Sequence, residues 1–572
     1  MPEFDLVVRG GQVVDGSGGQ RRTADVAVHD GTIVEVGRVD GGGRREIDAD
    51  GAVVAPGFVD IHTHYDGQAS WSSSLAPSVW HGVTTVVMGN CGVGFAPVRP
   101  SDHERLIDLM EGVEDIPGTA LHAGLQWDWD SFPSYLDALS RRAYDVDIAA
   151  QVPHAPLRLH VMGERAARRE EASAHDVAEM ARLAAEGVRA GALGFSTSST
   201  LNHRTRQGEL TPTYAAAGDE LVGIASALGE TGTGVLQLIS DFDDPEAEFA
   251  ILRQMMVASR RPLSVSLLQN PARPDLWRNL LTRMEAADSD GLTVRAQVAA
   301  RAVGVLYGLS CRLHPFAALP SFQALGDLSL AEKVVRMADH SLRDRVLAEA
   351  AAAPRGMANQ YDQLFEMGDP PDYEPEPSTS LAQRAARSGS SPEALTWDLL
   401  QRDGGATLLY APVMNYVGGN LDAVGEMLAH RLSIPGLSDG GAHVGVICDA
   451  SFPTTLLSLW GRDRSREGVG LEHVVARQAR ATAQAVGLND RGLLSPGYRA
   501  DLNVIDLPNV QVRRPFLVAD LPAGASRFEQ RADGYLHTIV GGVETYAGGR
   551  ATGALPGRLV RGPQRPQAPS PV

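Results

Sequence analysis

Lysine is almost absent from this sequence. Of the 51 basic residues in the 572-residue chain, Lys333 is the single lysine and the others are arginine. A mechanism that requires a lysine side chain therefore has one residue to use. Cysteine is scarce as well, because only Cys91, Cys311 and Cys448 occur, and they lie far apart. This excludes a disulfide framework and favours a reducing compartment.

Positive net charge and long apolar runs are also missing. The formal net charge is −19, and nucleic acids and anionic membranes both favour basic surfaces, so neither is expected as a partner. No apolar run approaches the roughly 20 residues of a membrane-spanning helix. The N-terminal segment lacks the basic stretch and apolar core of a secretory signal. With 43% hydrophobic and 21% charged residues, we expect a folded, cytoplasmic protein.

Both ends of the chain are predicted to be rich in β-strands. In residues 1–54, and again in 490–555, apolar and polar residues alternate between turns that contain glycine and aspartate. Two such ends predict one small β-sandwich domain that is formed from both. The last residues, 556–572, are rich in proline and polar side chains, and we expect a disordered tail there.

The middle of the chain, residues 55–489, alternates short apolar strands with helical stretches. Near-continuous apolar strands between helices are typical of a buried parallel sheet in an α/β protein. About eight such strands favour a (β/α)₈ TIM-type barrel. A doubly wound open sheet is the alternative, although no glycine-rich dinucleotide motif follows the first strand. A helical and proline-rich insertion at about 325–405 would lie beside the catalytic face of a barrel, where it could act as a lid.

Two histidines follow the first apolar strand of this middle region, in the segment GFVDIHTHYDGQ at 57–68. Alternate side chains of a strand share a face, so His62 and His64 point the same way, about 7 Å apart along the strand. They can converge on one metal ion where the strand ends. A strand end that carries two polar histidines is the alternative, and the HxH pattern alone does not exclude it.

Two further residues could complete a metal site. Cys91, in VTTVVMGNCGVGFAP, and Asp439, in IPGLSDGGAHVG, each follow an apolar strand, where barrel enzymes build their active sites. A thiolate is a good zinc ligand, and a carboxylate can bind a metal and also transfer protons. A small buried thiol and an aspartate turn are the alternatives.

Five other polar side chains are secondary candidates. His154 and His203 follow the third and fourth predicted strands, and His443 follows the last one. Arg158 and Arg301 could bind an anionic group of a substrate, although a single arginine says little in a chain so rich in arginine. A structural role is the alternative for each of the five.

Several segments occur in a characteristic order from about residue 5 to residue 555. They are GQVVDG, APGFVDIHTHYD, GVTTVVMGNCGVGFAP, GLSDGGAH and LSPGYRADLNVID. Together they resemble the amidohydrolase superfamily, and most of all its N-acyl-D-amino-acid deacylase (D-aminoacylase) branch. The resemblance implies a metal-dependent (β/α)₈ barrel with a small β-domain built from both chain ends.

The resemblance also implies a set of metal ligands. His62 and His64 match the first-strand pair of the family, Cys91 matches its second-strand cysteine, and Asp439 matches its last-strand aspartate. The carbamylated lysine that bridges two metals in other branches is excluded, because Lys333 lies in the helical insertion.

Two histidines that the family carries at the ends of strands five and six are missing. No histidine lies between His203 and His314, and the corresponding segments contain Gln237, Leu268 and Gln269. The family's tightly held metal uses those two histidines with the cysteine, so we expect one zinc ion on the four remaining ligands. Gln237 and Gln269 join His203, His443 and the two arginines as candidates for substrate binding.

These features predict a hydrolase of an amide or cyclic-amide C–N bond, similar to the N-acyl-amino-acid deacylases. One Zn²⁺, or another divalent metal, would polarise the carbonyl and lower the pKa of its water toward about 7. Asp439 would act as general base and then as general acid, and His154 would stabilise the oxyanion. Specificity for D-amino acids is not implied, because the groups that hold the α-carboxylate in the family are not evident.

Two alternatives differ in kind from amide hydrolysis. One is another metal-assisted reaction on the same scaffold, such as lactone opening or decarboxylation, and the other is a pseudoenzyme that only binds a ligand or partner. The four intact ligands favour catalysis. The expected partner is a small-molecule amide, with no nucleic acid and no membrane, and the protein is expected to be a homo-oligomer.

Overall fold

The computed structural model describes residues 3–214, 216–464 and 469–567. In it, both ends of the chain contribute to one nine-stranded sheet, called the terminal sheet below. Its strands are Phe4–Val13, Arg22–His29, Thr32–Gly37, Gly43–Asp48, Val53–Pro56, Leu502–Ile505, Tyr535–Val540, Val543–Ala547 and Arg550–Ala551. Asp30 and Gly31 form a hairpin turn in which both residues have positive φ (47° and 69°), as a two-residue type I′ turn requires.

The two ends meet between the strands Val53–Pro56 and Leu502–Ile505, which are antiparallel neighbours. One face of the terminal sheet is apolar and buried, with Val8, Val26 and Val504 in a common core. The alternation seen in the sequence thus places one apolar face inward on strands from both ends.

Eight parallel strands form the centre of the chain and are numbered β1 to β8 here. They are β1 Phe58–Asp60, β2 Val83–Met88, β3 Asp147–Ala150, β4 Gly194–Ser199, β5 Val235–Ser240, β6 Leu263–Leu267, β7 Val294–Val298 and β8 Ser433–Pro435. β1, β2 and β3 form one parallel sheet, and β4 to β8 form a second one with the short strand Val152–Pro153 beside β4. Every residue of β2 and β3 is buried, as in a sheet covered on both faces. The fold class is α/β, as the sequence predicts.

Short connections join the two parallel sheets. Gln151 alone separates β3 from the strand Val152–Pro153. On the other side, the chain beyond β8 runs beside the end of β1, where the Asp439 N–H donates to the His62 carbonyl at 3.1 Å. The carboxyl ends of β1 and β8 therefore lie side by side.

Helices alternate with the parallel strands and also build the insertion. The α-helices are Gln68–Trp71, His103–Glu114, Gly118–Gly124, Phe132–Ser140, His154–Met162, Glu164–Ala167, Ala174–Ala190, Gly218–Thr231, Pro245–Ser259, Leu276–Ser289, Pro320–Gln323, Leu330–Met337, His340–Ala352, Leu381–Ser388, Pro392–Leu400, Asp422–Ala429, Phe452–Thr455, Leu471–Val475 and Thr482–Ala485. The segments Leu456–Asp463 and Ala476–Ala481 are π-helical. None of the described helices is long and apolar enough to cross a membrane.

The helix Ala174–Ala190 shows how the sequence sets the helix ends. The Ser173 side chain accepts the Asp176 N–H, and the Asp176 side chain accepts the Ser173 N–H, which is a capping box. Gly191, with φ of 119°, ends the helix.

The insertion between β7 and β8 is larger than the predicted 325–405. It begins with the strand Val303–Tyr307 and ends with Leu409–Met414, and these two strands pair with each other. Leu409–Met414 also pairs with Phe365–Glu366 on its other side. Tyr307 and Trp397 are central to a separate hydrophobic core inside the insertion.

The end of the chain corrects the prediction of a disordered tail at 556–572. Gly557 exchanges two backbone hydrogen bonds with Tyr144, and the Val560 N–H donates to the Ile148 carbonyl. Leu559 and Val560 are buried. Residues 557–560 therefore pair along β3, and residues 562–567 bond to other segments such as Gly487 and Gly497. Residues 568–572 lie outside the described part of the chain.

Two small antiparallel ribbons complete the strands of the described chain. They are Gln511–Val512 with Ala532–Asp533, and Phe516–Val518 with Arg527–Glu529.

Candidate metal centre

His62 and His64 follow β1 and are each 1% exposed. The Nδ1 atom of His62 lies 2.6 Å from Gln297 Oε1, and the Nδ1 atom of His64 lies 3.2 Å from Glu114 Oε1. Their ring centroids are 5.5 Å apart. His62 Nδ1 is hydrogen-bonded to Gln297, whereas His64 Nδ1 faces the Glu114 carboxylate without a hydrogen bond among the described residues. The two Nε2 atoms therefore remain for a shared ligand.

Cys91 and Asp439 approach these Nε2 atoms. His62 Nε2 lies 3.2 Å from Cys91 Sγ and 3.4 Å from Asp439 Oδ1, and His64 Nε2 lies 3.6 Å from the same oxygen. Candidate ligand atoms of His62, His64 and Cys91 all lie within 4.8 Å of one another. Cys91 and Asp439 both have positive φ (54° and 48°), which is uncommon outside glycine and clusters at functional sites. Two nitrogens, a sulfur and an oxygen thus converge.

This donor set fits one zinc ion. Protein-bound zinc is usually four-coordinate and accepts imidazole nitrogen, thiolate sulfur and carboxylate oxygen. Asp439 Oδ1 is buried and has no hydrogen-bond partner among the described residues, so its lone pairs are free for a cation. The contacts of Gln297 and Glu114 to the outer ring nitrogens are of the kind that orient metal-binding histidines.

Burial controls protonation at the centre. It raises the pKa of the Cys91 thiol to about 12 and lowers the pKa of His62 to about 4. Burial also opposes ionisation of Asp439, but the neighbouring His64 and His62 outweigh it and hold the pKa of that carboxyl below its usual value. A protonated thiol therefore lies near an ionised carboxylate, and a bound cation would favour loss of the thiol proton.

Glu114 and Gln297 belong to the site but carry little signal in the sequence. Glu114 ends the helix His103–Glu114 and is 1% exposed, but nothing local distinguishes it among the 70 acidic residues of the chain. Gln297 lies in β7, where an uncharged polar residue in the otherwise apolar carboxyl half of the strand is the one signal that could have found it.

His443 and His203 lie beside the centre. His443 Nε2 is 3.6 Å from Glu114 Oε2 and 4.0 Å from Asp439 Oδ2, and the His443 and Asp439 side chains are 25% and 23% exposed. The centre therefore opens to solvent on this side. His203 Nδ1 lies 2.7 Å from Ser198 Oγ at the end of β4. Burial lowers the pKa of His203 to about 3, with the charge of His443 adding to the effect.

His154 and Arg158 lie outside the centre, in a buried group called the Glu220 cluster (His154, Arg158, Thr197 and Glu220). Both His154 ring nitrogens are occupied, one by Thr197 Oγ1 at 2.8 Å and the other by Glu220 Oε1 at 2.9 Å. Arg158 donates to both Glu220 oxygens and to two backbone carbonyls. This placement argues against the expected oxyanion role of His154 and the expected carboxylate-binding role of Arg158.

Arg301 and Gln269 are also held in structural contacts. Arg301 is fully buried, and its guanidinium lies 3.6 Å from the centroid of the Tyr373 ring. It donates to groups on the chain beyond β8, namely Ser451 Oγ, Thr455 Oγ1, Asp449 Oδ1 and the Cys448 carbonyl. Gln269 Oε1 accepts the Val417 N–H at 3.2 Å. The predicted substrate contacts of these two residues are therefore not supported.

Gln237 lies directly beside the centre. Its Oε1 accepts the Cys91 N–H at 3.1 Å, and the residue is 1% exposed. β5 carries Gln237, and neither β5 nor β6 contains a histidine. The structure thus places a glutamine amide at the centre on strand five.

Comparison with known proteins gives a consistent result. A family model described as "Amidohydrolase family" matches residues 45–546. An N-acyl-D-glutamate deacylase from Alcaligenes xylosoxydans xylosoxydans is 28% identical over 98% of this chain and 97% of its own. A D-aminoacylase from the same organism is 37% identical, over 34% of this chain and 38% of its own.

Solved structures show the same similarity of fold. A structure of D-aminoacylase with a binuclear metal centre matches with a TM-score of 0.66 and 24% identity, covering 98% of this chain and 100% of that one. A structure of N-acyl-D-glutamate deacylase from Bordetella bronchiseptica, complexed with zinc and a phosphonate inhibitor, matches with a TM-score of 0.64 and 24% identity, over 98% and 99% of the two chains.

Proposed function

The chain belongs to the amidohydrolase family, and we infer that it is a metal-dependent hydrolase of carbon–nitrogen bonds other than peptide bonds. The resemblance to the deacylase branch is confirmed by a near full-length relative named N-acyl-D-glutamate deacylase. The observation that carries the inference is the convergence of His62, His64, Cys91 and Asp439 at the carboxyl ends of parallel strands, where such folds place their active sites.

We propose that the two parallel sheets close into one (β/α)₈ barrel and that the terminal sheet belongs to a small β-sandwich. The hydrogen bond from Asp439 to His62 and the single residue, Gln151, between β3 and the strand beside β4 support the closure. The proposed limits are 1–54 with 490–555 for the small domain and 55–489 for the barrel, and the terminal-sheet strand Val53–Pro56 extends two residues past the first of these limits.

We propose that one zinc ion binds to His62, His64, Cys91 and Asp439. A zinc ion bound there would polarise a carbonyl group and make a water molecule more acidic. The supporting observations are the unpartnered Asp439 Oδ1 and the outer contacts on both histidines. A glutamine rather than a histidine on β5 favours one ion over two.

Asp439 is the proposed proton carrier. Its Oδ2 faces His443 on the solvent-exposed side of the centre, so it is placed to accept a proton from the attacking water. It would then return that proton to the leaving nitrogen, which is general base and general acid catalysis by one group. Glu114, close to both His64 and His443, would hold these two rings in position.

The proposed substrate is a small-molecule amide of the N-acyl-amino-acid or cyclic-amide type. The names of the relatives support the acyl-amino-acid class. His203, His443 and Gln237 are the predicted substrate-binding residues that lie near the centre. Imidazole and amide groups can donate a hydrogen bond to an amide carbonyl or accept one from an amide N–H.

Metal analysis with one substitution tests this function. Protein purified from zinc-supplemented medium should contain about one zinc per chain and should hydrolyse members of a panel of N-acyl-amino acids and cyclic amides. Asp439→Asn removes the proton acceptor and should lower kcat by at least about 100-fold. The rates are measured by release of the free amine.

Asp403→Asn is the matched control. Asp403 also has positive φ (52°) but lies in the insertion, with its side chain 62% exposed, so zinc content and kcat should stay at wild-type values. Protein that retains no metal from zinc-supplemented medium, or an Asp439→Asn variant with wild-type kcat, would contradict the proposal.

A further inference from the structure

Gln237 and Ser266, on neighbouring strands β5 and β6, each carry an unused hydrogen-bonding group. Gln237 Nε2 and Ser266 Oγ are buried and have no hydrogen-bond partner within the described residues. The two residues are 1% and 7% exposed. Buried polar groups in folded proteins are nearly always paired, so an unpaired one calls for a ligand or an ordered water.

The orientation of the Gln237 amide is fixed by its other end. Oε1 accepts the backbone N–H of Cys91 at 3.1 Å. Exchanging the two ends of the amide would place an NH₂ group against that N–H, and two donors cannot bond. Gln237 Nε2 therefore remains a donor, held beside one of the proposed zinc ligands.

The register of the strands places Ser266 on the same face of the sheet. Gln237 pairs with Ser264 across β5 and β6, and Ser264 Oγ accepts Gln297 Nε2 at 2.9 Å. Ser266 is two residues further along β6 and so points to the same side as Ser264. It pairs with Gln297 on β7, whose side chain contacts His62. Both unused groups thus face the interior that borders the metal centre.

We propose that Gln237 Nε2 and Ser266 Oγ form a pair of neutral donors that bind the carbonyl oxygen of the substrate amide. This inference rests on the proposed function. The two donors are on β5 and β6, whereas Asp439 follows β8 and lies beyond β7 in the strand order. The proton acceptor and the donor pair therefore approach the reacting carbonyl from different sides.

In this arrangement, the donor pair stabilises the charge that hydrolysis creates. The water oxygen bonds to the carbonyl carbon, its proton passes to Asp439, and the carbonyl oxygen gains a negative charge that Gln237 N–H and Ser266 O–H accept into hydrogen bonds. When the C–N bond breaks, the C=O bond re-forms and Asp439 returns the proton to the nitrogen. The products are a carboxylic acid and an amine. Loss of one donor of this kind lowers kcat about 100- to 1,000-fold.

Binding of methylphosphonate to the full-length, zinc-loaded protein tests the pair without a known substrate. Its tetrahedral oxygens imitate the charge of the intermediate, and calorimetry gives the Kd. Ser266→Ala removes one donor and should raise the Kd at least about tenfold. Gln237→Glu keeps an acceptor for the Cys91 N–H but replaces the donor with a negative charge, and should raise the Kd further.

Ser433→Ala is the matched control. Ser433 Oγ is also buried and lacks a hydrogen-bond partner in the described part of the chain. Ser433 pairs with Ala296, however, and so faces the side of the sheet opposite Gln297. Its methylphosphonate Kd should stay within about twofold of wild type, because it lacks access to the centre. Zinc content and thermal unfolding are measured for every variant, and Ser266→Ala alone suffices if Gln237→Glu does not fold.

The outcomes separate this inference from the function on which it rests. Zinc-loaded wild-type protein that does not bind methylphosphonate, or an unchanged Kd in Ser266→Ala, overturns the donor pair. If binding depends on Ser266 but no amide is hydrolysed, the donor pair stands and the proposed function fails. If amides are hydrolysed and Ser266→Ala lowers kcat with little change in KM, both stand, whereas a wild-type kcat in that variant overturns the donor pair alone.

Discussion

The two histidines of the candidate metal centre face two residues of different charge. Gln297 Oε1 can only accept, so at 2.6 Å it fixes the proton of His62 on Nδ1 and leaves the Nε2 lone pair free. Glu114 lies 3.2 Å from His64 Nδ1. A carboxylate increases the basicity of a neighbouring imidazole more than an amide does. Glu114 therefore makes His64 more basic than Gln297 makes His62.

Replacing Gln297 should weaken metal binding without abolishing the fold. In Gln297→Leu the His62 ring loses its orienting contact, and zinc affinity should fall about 10- to 100-fold. Competition with a chromogenic zinc chelator measures the change. Gln207→Leu alters an exposed glutamine whose amide bonds Asp108 at 3.0 Å, and it should bind zinc as the wild type does. Equal affinity in both variants would show that the amide has no orienting role.

Local motifs account for the part of the candidate site that the sequence predicts. His62 and His64 are neighbours in one motif, and Cys91 and Asp439 follow apolar strands in glycine-containing segments. The fact that a residue follows a strand does not reveal which other residue its side chain contacts. His154 also follows a strand, yet a buried glutamate on a distant helix, Glu220, takes one of its ring nitrogens.

At the scale of secondary-structure elements, the Glu220 cluster ties two helices together. Glu220 belongs to the helix Gly218–Thr231, and His154 and Arg158 belong to His154–Met162. Burial alone would raise the pKa of Glu220, but the hydrogen bond from His154 and the charges of His154 and Arg158 lower it to about 2.

This lowered pKa predicts a loss of stability in acid. The folded-state pKa of Glu220 lies below the ordinary value of 4.5, so its stabilisation is complete above pH 4.5 and is lost as the pH falls toward 2. The full shift corresponds to about 3 kcal/mol of unfolding free energy. In Glu220→Gln this contribution is absent, so the difference in unfolding free energy from wild type should shrink as the pH falls through this range.

Urea unfolding of both proteins between about pH 5 and 3 measures that difference. Glu230→Gln, an exposed position on the same helix, should show no such pH-dependent difference. If the difference in unfolding free energy between wild type and Glu220→Gln stayed constant across this pH range, the fold would not stabilise the ionised form of Glu220.

The pattern of apolar residues predicts that a strand is present better than it predicts the residues at which the strand begins and ends. The segment VDIAAQVPH reads as one strand but forms two, β3 and Val152–Pro153, because Gln151 interrupts the pairing. The apolar segment LSIPGLSDGG contributes only the three residues of β8. Leu437 and Asp439 then adopt positive φ, a tertiary constraint that no local pattern contains.

At the scale of the whole molecule, the last described residues brace β3. Val560 and Gly557 bond to the backbone of residues 144–148, and Gln564 exchanges hydrogen bonds with Gly487 and Asn489. Proline and polar side chains led to the prediction of disorder in this segment. The backbone groups of this segment bond to segments that are distant in the sequence, and amino-acid composition cannot predict such bonds.

Truncation after residue 556 should therefore destabilise the protein. It removes at least four backbone hydrogen bonds between residues 557–560 and residues 144–148, each worth about 1 kcal/mol, so the loss of unfolding free energy should be about 4 kcal/mol or more. Thermal unfolding of the zinc-loaded protein measures it. Truncation after residue 567 keeps all these bonds and should unfold like the full chain. Equal midpoints for the two truncations would contradict a bracing role.

Two neighbouring strands of the terminal sheet are synthesised at very different times. The strand Val53–Pro56 is made early, but one of its antiparallel partners, Leu502–Ile505, is separated from it by the whole central region. At about 5–20 residues per second, the roughly 450 intervening residues take about 20 to 90 s to translate. During that time the edge of Val53–Pro56 that Leu502–Ile505 will cover has no partner strand, and an unpaired edge of this kind can pair with another chain.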